Sequence, residues 1–358
     1  MKIVKYLFFL LLIVVIGGAV YFGTKDGSFN VKSTKTIQAP VSLVFEKAND
    51  YKSWEQWGPW MENDPKMEIN YGAKTEGEGA SYSWKSEIEG NGAMKTLVVA
   101  ENDSIIQEIT FHTPIGDSSS EVYWQFTPTE AGATEVTWGM RGEQSFMEKV
   151  FMSFQPDDFN TMLRSMFNSG LNRMDELVQN EMNEYSIVVE GIKEYGGGYY
   201  MFTTTASKTS EIGEKMGPML GKVMAFMEQN NIQQTGMPFS IYNEWDETNG
   251  TTIFSAAIPV KERIIVTEGD VLCGYMEPLS AVKTVLTGNY THLQKAYEKA
   301  EMYISENSLL KDPAHKPFEI YANDPGNFPN PADWKTEIYI PVFKDLTSNH
   351  PIIEGNLP

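Results

Sequence analysis

The hydrophobic and polar positions of the chain first form an unbroken apolar run. Residues 6–24 carry no charge and show no polar face, which is typical of a helix surrounded by lipid. At about 1.5 Å per residue the run is roughly 28 Å long, close to the hydrocarbon core of a bilayer. Tyr6, Tyr21 and Phe22 stand near its ends, where interfacial aromatic residues belong. The pattern predicts an uncleaved transmembrane anchor over residues 1–24.

A cleaved signal peptide is the alternative interpretation of this run. Gly17 and Ala19 form a small-x-small cleavage site. Lys2 and Lys5 precede the run, but basic residues at positions 25, 32 and 35 follow it, so the charge bias is weak. For so short a leader we expect the N-terminus in the cytoplasm and the remaining domains on the extracytoplasmic side of the membrane.

A mixture of helical and strand periods follows over residues 25–181. Val44, Phe45 and Ala48 have the spacing of one helix face. Residues 122–126 and 136–140 alternate between apolar and polar side chains, which indicates half-buried antiparallel strands.

A long amphipathic helix closes this first domain. Pro156, Asp157 and Asp158 form a helix start signal, and apolar residues then recur at helical spacing through residues 159–178. A strand, short helices, a curved antiparallel sheet and a long C-terminal helix make a helix-grip domain. We expect a tunnel-like apolar cavity between the sheet and the long helix.

An internal repeat organises the second domain, residues 185–342. Residues 237–260 and 316–342 both contain P-F-x-I-Y, a turn-rich loop and a strand that ends in I-P-V. An extended segment and an amphipathic helix precede each copy. The repeat predicts two strand-helix-strand-strand units that join edge to edge, with both helices on one face and a groove on the pseudo-two-fold axis. Residues 343–358 form a tail whose Pro, Gly and Asn content favours fraying.

The predicted fold class is therefore α+β, with an anchor and two domains. Acidic residues outnumber basic ones by 48 to 28, and the net charge of −20 argues against a nucleic-acid partner. The single cysteine, Cys273, excludes an internal disulfide, and the scattered histidines offer no metal-ligand spacing. We therefore predict neither a metal nor a cofactor. No short hydrolase, nucleotide-binding or zinc-enzyme motif is present.

The first domain resembles the SRPBCC superfamily of START-type or polyketide-cyclase-like domains. The resemblance rests on the stretch TIQAPVSLVFEKANDYKSWEQWGPW followed by GEGASYSW. It implies a hydrophobic pocket for lipids, polyketides or other apolar molecules, and it assigns no fixed catalytic residue. Trp54, Trp57 and Trp60 recur at intervals of three. They have two interpretations: core packing, or a pocket rim at which Trp54 and Trp57 contact a ligand.

The second domain resembles the GyrI-like, AraC-type effector-binding domain. The carrying features are G-x-Y-x-x-L at residues 288–293, Pro317, Glu319 and Tyr321, and the terminal T-E-I-Y-I-P-V. The resemblance implies a sensor of small molecules, often cationic aromatics. Such domains commonly follow a helix-turn-helix, but here an anchor and an SRPBCC-like domain stand in its place, so transcriptional activation is not expected.

Glu337 is the residue on which we place the binding role, because the resemblance implies an acidic residue at the bottom of the pocket. A carboxylate among aromatic rings favours a cation. The equivalent position in the first copy is Ser255, so the two halves differ there. The alternative is a surface carboxylate on a strand. The other predicted ligand-binding residues of this domain are Tyr290, Tyr321, Trp334 and Tyr339, with Trp245 as a further candidate wall.

Three functions are compatible with these observations. The first is a membrane-anchored protein that senses or sequesters apolar or cationic small molecules. The second is an enzyme, either cyclase-like or a hydrolase in which Glu337 acts with a pocket tyrosine. The third is a protein-interaction role, which requires an exposed apolar patch in place of a pocket.

Overall fold

The computed structural model describes residues 2–113, 116–154, 157–323 and 325–343. The chain divides into two compact units at the boundary between Glu181 and Met182. Pro156 and the tail from residue 344 onward lie outside the described residues, so the predictions made for them stay predictions.

The first unit begins with the apolar helix and continues into a helix-grip domain. Its helices are α1 (Lys2–Thr24), α2 (Val41–Asn49), α3 (Trp54–Trp57), α4 (Trp60–Asn63), α5 (Phe146–Met152) and α6 (Phe159–Met182). Its strands are β1 (Ser28–Ile37), β2 (Glu68–Tyr71), β3 (Ser81–Lys85), β4 (Asn91–Ala100), β5 (Ser104–Thr113), β6 (Gly116–Pro128) and β7 (Thr134–Glu143). The strands form one antiparallel sheet in the order β1-β7-β6-β5-β4-β3-β2.

Alternation along the strands and stripes along the helices build the core of this unit. Val44, Phe45 and Ala48 of α2 are buried, as their spacing predicts. Trp124 of β6 and Trp138 of β7 stack with their ring centroids 4.6 Å apart. Asp158 accepts a hydrogen bond from the backbone N–H of Thr161 at 3.1 Å, which caps α6 as the start signal predicts. The helix-grip arrangement is thereby confirmed.

Helix α6 approaches the sheet closely where its sequence has a small residue. Gly170 is buried, and a Cβ at this position would lie 2.6 Å from Cζ3 of Trp138. Phe167, one turn earlier, packs its ring 4.7 Å from that of Trp138. The glycine therefore allows the long helix to lie directly over an indole ring.

The second unit is a single eight-stranded sheet with two long helices. The strands are β8 (Ser186–Tyr195), β9 (Gly198–Lys208), β10 (Phe239–Asp246), β11 (Thr251–Val260), β12 (Leu272–Met276), β13 (Leu279–Thr287), β14 (Phe318–Tyr321) and β15 (Lys335–Pro341). The helices are α7 (Ile212–Gln229) and α8 (Leu293–Glu306). The strand order is β12-β9-β11-β10-β14-β15-β13-β8.

This order is symmetric about the central pair β10–β14. Strands β9, β10 and β11 with α7 correspond to β13, β14 and β15 with α8, which confirms the predicted repeat of strand-helix-strand-strand units. Each repeat has one additional strand, and the repeats exchange these strands. β8 from the start of the first repeat pairs with β13, and β12 from the start of the second repeat pairs with β9.

Candidate functional site

The two long helices of the second unit pack on the same face of its sheet, on either side of the central strands. Helix α7 packs on β9 and β11, and helix α8 packs on β8, β13 and β15. The central strands β10 and β14 lie between the two helices. They pair in antiparallel register with Phe239 opposite Ile320, Ser240 opposite Glu319 and Ile241 opposite Phe318. The pseudo-two-fold axis therefore passes between Ser240 and Glu319.

The alternation of β14 directs Glu319 to this helix-bearing face of the sheet. Phe318 packs on the other face of the sheet in a cluster with Phe239, Ile241 and Tyr339. Glu319 is paired with Ile338, which packs against α8, so it faces the helix side. Glu319 is only 1% exposed to solvent. A carboxyl group this deeply buried either gains hydrogen-bond donors or takes up a proton.

Four hydroxyl groups surround this carboxylate. Oε2 of Glu319 accepts hydrogen bonds from the Tyr321 hydroxyl at 3.4 Å and from Ser240 Oγ at 3.5 Å. The hydroxyls of Tyr242, on β10, and Tyr297, on α8, also approach the carboxyl group closely enough to influence its ionisation. Both strands at the axis therefore donate hydrogen bonds to one acidic group. Helix α8 adds the buried Tyr297 hydroxyl, which lies near the carboxyl group but outside hydrogen-bonding geometry.

Burial dominates the ionisation of the group. Loss of solvent raises the pKa of Glu319 to about 7, while the hydroxyls of Tyr297, Tyr242, Tyr321 and Ser240 oppose that rise. Burial, reinforced by the acidic group, raises the pKa of each of the three tyrosines well above its ordinary value. The tyrosines consequently remain neutral donors. The carboxyl group changes its charge near neutral pH, which suits a site that accepts a cation.

Aromatic rings lie next to the Glu319 cluster on both sides of the axis. Tyr290 lies 5.7 Å from Tyr321 and 4.8 Å from Trp334, measured between ring centroids. On the other side, Trp245 lies 5.5 Å from Tyr242. These rings offer faces to a planar or cationic ligand.

Two short turns hold Tyr290 and Trp334 together. Tyr290 begins a 3-10 turn before α8, and Asn289 caps that turn by accepting a hydrogen bond from the backbone N–H of Thr291. The indole Nε1 of Trp334 donates to the carbonyl of Phe328 at 2.7 Å. The backbone N–H of Gly288 donates to the carbonyl of Trp334 at 2.8 Å, which connects the two turns.

Glu337 occupies the opposite face of the sheet. It forms an ion pair with Lys283 at 2.9 Å and accepts a hydrogen bond from the Tyr339 hydroxyl at 3.0 Å. Lys283 also lies 3.7 Å from Glu190. The residues that the sequence suggested therefore form two groups, since Tyr290, Tyr321 and Trp334 contact one another on the helix side without Glu337 and Tyr339. The expected convergence of Glu337 with Tyr290 or Tyr321 is not observed, although a ligand-binding role for Glu337 stays a prediction.

Sequence reasoning assigned no binding role to four groups at the axis, Ser240, Tyr242, Tyr297 and Glu319, although Glu319 is one of the residues that carry the resemblance to the GyrI-like domain. The repeated P-F-x-I-Y motif contains the information that identifies one of them. Glu319 stands at its variable position between Phe318 and Ile320, and the matching position of the first copy is Ser240. An acidic residue enclosed by apolar neighbours in one copy alone indicates a buried, functional carboxylate.

The first unit contains a small apolar cavity between its sheet and α6. Its volume is about 110 Å³, and its lining includes Trp54, Trp84, Phe111, Met166 and Phe167. The predicted tunnel is thus reduced to a small space, because packed indole rings occupy the domain centre. At about 30 Å³ per molecule the cavity holds a few waters or a small apolar group.

Trp54 and Trp57 differ in their relation to this cavity. Trp54 lines it, and its indole Nε1 donates to the carbonyl of Ala48 at 3.0 Å. Trp57 is fully buried beside Trp124 and Trp138, and its Nε1 donates to the carbonyl of Lys47 at 3.1 Å. The position of Trp57 is that of a core residue, and ligand contact by Trp54 stays a prediction.

Two known families match the chain. Residues 28–179 match the family described as polyketide cyclase / dehydrase and lipid transport, which is of the SRPBCC type. Residues 208–342 match the GyrI-like small molecule binding domain. Both predicted resemblances are confirmed. No curated protein matches the chain.

Several solved structures are similar to parts of the chain. The EcmrR C-terminal domain is 22% identical, with a TM-score of 0.38, and the match covers 45% of this chain and 99% of that one. EcmrR in a complex with DNA is 20% identical over 56% of this chain and 72% of that one, with a TM-score of 0.39. Protein Ms6760 from Mycobacterium smegmatis is 18% identical over 42% of this chain and 91% of that one, with a TM-score of 0.32. None of these likenesses assigns a ligand to this chain.

Proposed function

We propose that this chain, which joins a polyketide cyclase-type domain to a GyrI-like domain, is a membrane-tethered protein that senses or sequesters small molecules. The second domain binds aromatic cations between α7 and α8. The first domain binds apolar molecules beside α6. Glu319 is the residue that recognises the cation.

The observation that carries this proposal is the single buried acidic group on the symmetry axis. Glu319 is enclosed by neutral tyrosine hydroxyls and has a pKa raised by burial to about 7. A bound cation would replace water as its partner and stabilise the ionised form. Tyr321, Tyr290 and Trp334 supply ring faces next to it. The combination favours a positively charged aromatic ligand over a neutral or anionic one.

Glu337 keeps a secondary place in this proposal. Lys283 already compensates its charge, so a cation that approached it would meet a neutralised carboxylate. We assign it to holding β15 against β13 and retain ligand contact at this residue as the weaker alternative.

The membrane tether rests on α1. Residues Ile3–Thr24 are long and apolar enough to cross a bilayer, and a signal sequence has the same properties. We propose that α1 is retained as a single-pass anchor and that both domains lie on the extracytoplasmic side. The net charge of −20 speaks against a nucleic-acid partner for these domains.

A calorimetric titration of the full-length protein in nanodiscs tests the proposed function. The probe is N-methylquinolinium, a permanent aromatic cation, and its neutral isostere 1-methylnaphthalene is the control. Saturable binding of the cation, at least tenfold tighter than that of the isostere at pH 8, supports the proposal. Equal affinities for both compounds, or no saturable binding of the cation, would contradict it.

A second candidate function is hydrolysis of a strained electrophilic ring. The favouring observation is again the raised pKa of Glu319 beside tyrosine hydroxyls, because a base that titrates near the working pH is efficient. Glu337 with Tyr339 is the alternative pair for this chemistry. Hydrolysis of styrene oxide that is lost in Glu319→Gln would establish turnover, whereas an equal rate in wild type and variant would dismiss it.

A further inference from the structure

Helix α5 of the first domain is oriented opposite to the usual pattern of a surface helix. Its apolar residues Phe146, Met147 and Phe151 are exposed, with Phe151 at 63%. Phe154, directly after the helix, is 81% exposed. The spacing of these residues places them on one stripe. Exposure of such an apolar stripe to water is unfavourable. An exposed apolar patch of this kind marks a contact surface.

The charged residues of α5 point in the other direction, toward the protein. Lys149 is 8% exposed, and its Nζ donates to the carbonyl of Lys25 at 2.7 Å. Glu148 forms a capping box with Ser145 and accepts a hydrogen bond from Ser118 at 2.8 Å. The polar face is therefore used for attachment to the domain, which leaves the apolar face outward.

The apolar stripe lies beside the end of the predicted anchor. Helix α5 packs against α1, and the Lys25 carbonyl that holds Lys149 comes directly after Thr24, the last residue of α1. The backbone N–H of Gln144 donates to the carbonyl of Gly27 at 2.8 Å, which joins the two segments a second time. Helix α5 is thus held at the level where α1 leaves the membrane.

We propose that α5 is an interfacial helix whose phenylalanine stripe inserts at the boundary between lipid headgroups and acyl chains. This inference rests on the membrane tether of the proposed function. A bilayer is the occupant to which the geometry points, because α5 contacts α1, whose length and apolar composition suit a membrane span. Short amphipathic helices with aromatic residues bind this layer of the membrane. The contact holds the first domain against the bilayer, so that the domain is attached to the membrane by α5 as well as by α1.

Spin-label accessibility in the full-length protein provides the test. The background is Cys273→Ser, which removes the only native cysteine. A nitroxide is attached at Phe151→Cys, and the protein is placed in nanodiscs of phosphatidylcholine and phosphatidylglycerol. Collisions with oxygen, which concentrates in lipid, are compared with collisions with a water-soluble nickel chelate.

Two further labels serve as matched controls. Val14→Cys reports the middle of α1, and Glu101→Cys reports an exposed turn at the opposite end of the sheet from Ser28. We expect the label at position 151 to collide more with oxygen than with nickel, as the label at position 14 does, and the label at position 101 to show the reverse.

Three results would overturn the proposal, and they differ in what else they affect. If the label at position 151 collides mainly with nickel while the label at position 14 collides mainly with oxygen, the interfacial helix is excluded and the anchor is retained. If both labels collide mainly with nickel, the membrane anchor is excluded as well. A label at position 151 that is shielded from both reagents places α5 against protein, either a second copy or another chain.

Discussion

Ser240 and Glu319 face each other across the antiparallel pair β10–β14, at equivalent positions of the two repeats. The fold thus places two side chains at one symmetric point and makes only one of them acidic. Tyr242 and Tyr321 flank them as a symmetric pair. A single buried charge on the axis is sufficient for one ligand per domain, while a second carboxylate would raise the pKa of the first still further.

Stability of the second domain should fall as pH rises through the titration of Glu319. Its folded-state pKa of about 7 lies above the ordinary value of 4.5. The folded state therefore binds more protons than the unfolded state between these values, and the free energy of unfolding decreases with pH there. The loss is on the order of 3 kcal/mol and is complete above about pH 8.

Glu319→Gln should remove this dependence, because an amide does not titrate. Scanning calorimetry of wild type and variant between pH 4.5 and pH 8 measures it, and the stability difference should move in favour of the variant as pH rises. Glu337→Gln, which removes one of the two carboxylates that pair with Lys283, is the control and should not show that trend. Parallel curves for wild type and Glu319→Gln would refute the assignment.

Tyr321→Phe should weaken cation binding without abolishing it. Its hydroxyl donates to Glu319 and helps to ionise the carboxyl group, so its removal raises the pKa of Glu319. A hydrogen bond of this type contributes about 1 kcal/mol, which corresponds to roughly fivefold in affinity near pH 7. Tyr339→Phe, on the opposite face of the sheet, should bind N-methylquinolinium like wild type. An equal effect of both substitutions would contradict the assignment of the cation site to the Tyr321 face of the sheet.

Gly170→Ala should destabilise the first domain. The added Cβ would lie 2.6 Å from Cζ3 of Trp138, so either the indole or α6 must move. Overpacking of this kind costs about 1–3 kcal/mol. Ser169→Ala is a matched control on the exposed side of the same helix and should be neutral. Tryptophan fluorescence during guanidinium unfolding compares the two variants, and equal midpoints would mean that the contact is readily relieved.

The side of the membrane is tested by labelling the exposed turn at Glu101. In intact cells that express Glu101→Cys in the Cys273→Ser background, a membrane-impermeant maleimide should react without lysis. Reaction only after lysis would place the domains in the cytoplasm. Release of the protein from membranes by alkaline carbonate would instead indicate that α1 does not anchor it.

Local periodicity predicted much of the fold because it reflects contacts within one element. The uncharged run of α1, the buried stripe of α2 and the repeated helix-strand-strand pattern of the second domain needed no long-range information. The sequence pattern identifies β8 as the extended segment before α7 but does not reveal β9, because Thr203 and Ser207 occupy buried positions on β9 and obscure the apolar alternation. The exchange of β8 and β12 between repeats depends on pairing far along the chain, which one strand's pattern does not encode.

The site illustrates the same limit at the scale of one residue. Glu319 and Glu337 both lie on strands, and a strand places successive side chains on opposite faces. Which face carries the helices follows from the sheet register, where Glu319 pairs with Ile338 and Glu337 pairs with Val285. Sequence reasoning identified the aromatic residues Tyr290, Tyr321 and Trp334 as candidates but named the acidic residue on the other face.

The most direct measurement is therefore the affinity of the full-length protein for N-methylquinolinium at pH 8 in two matched variants, Glu319→Gln and Glu337→Gln. Both substitutions remove one carboxylate from neighbouring strands of the same sheet. The account predicts at least a tenfold loss of affinity in Glu319→Gln and wild-type affinity in Glu337→Gln. Retained affinity in Glu319→Gln, with a loss in Glu337→Gln, would contradict it and move the cation site to the opposite face.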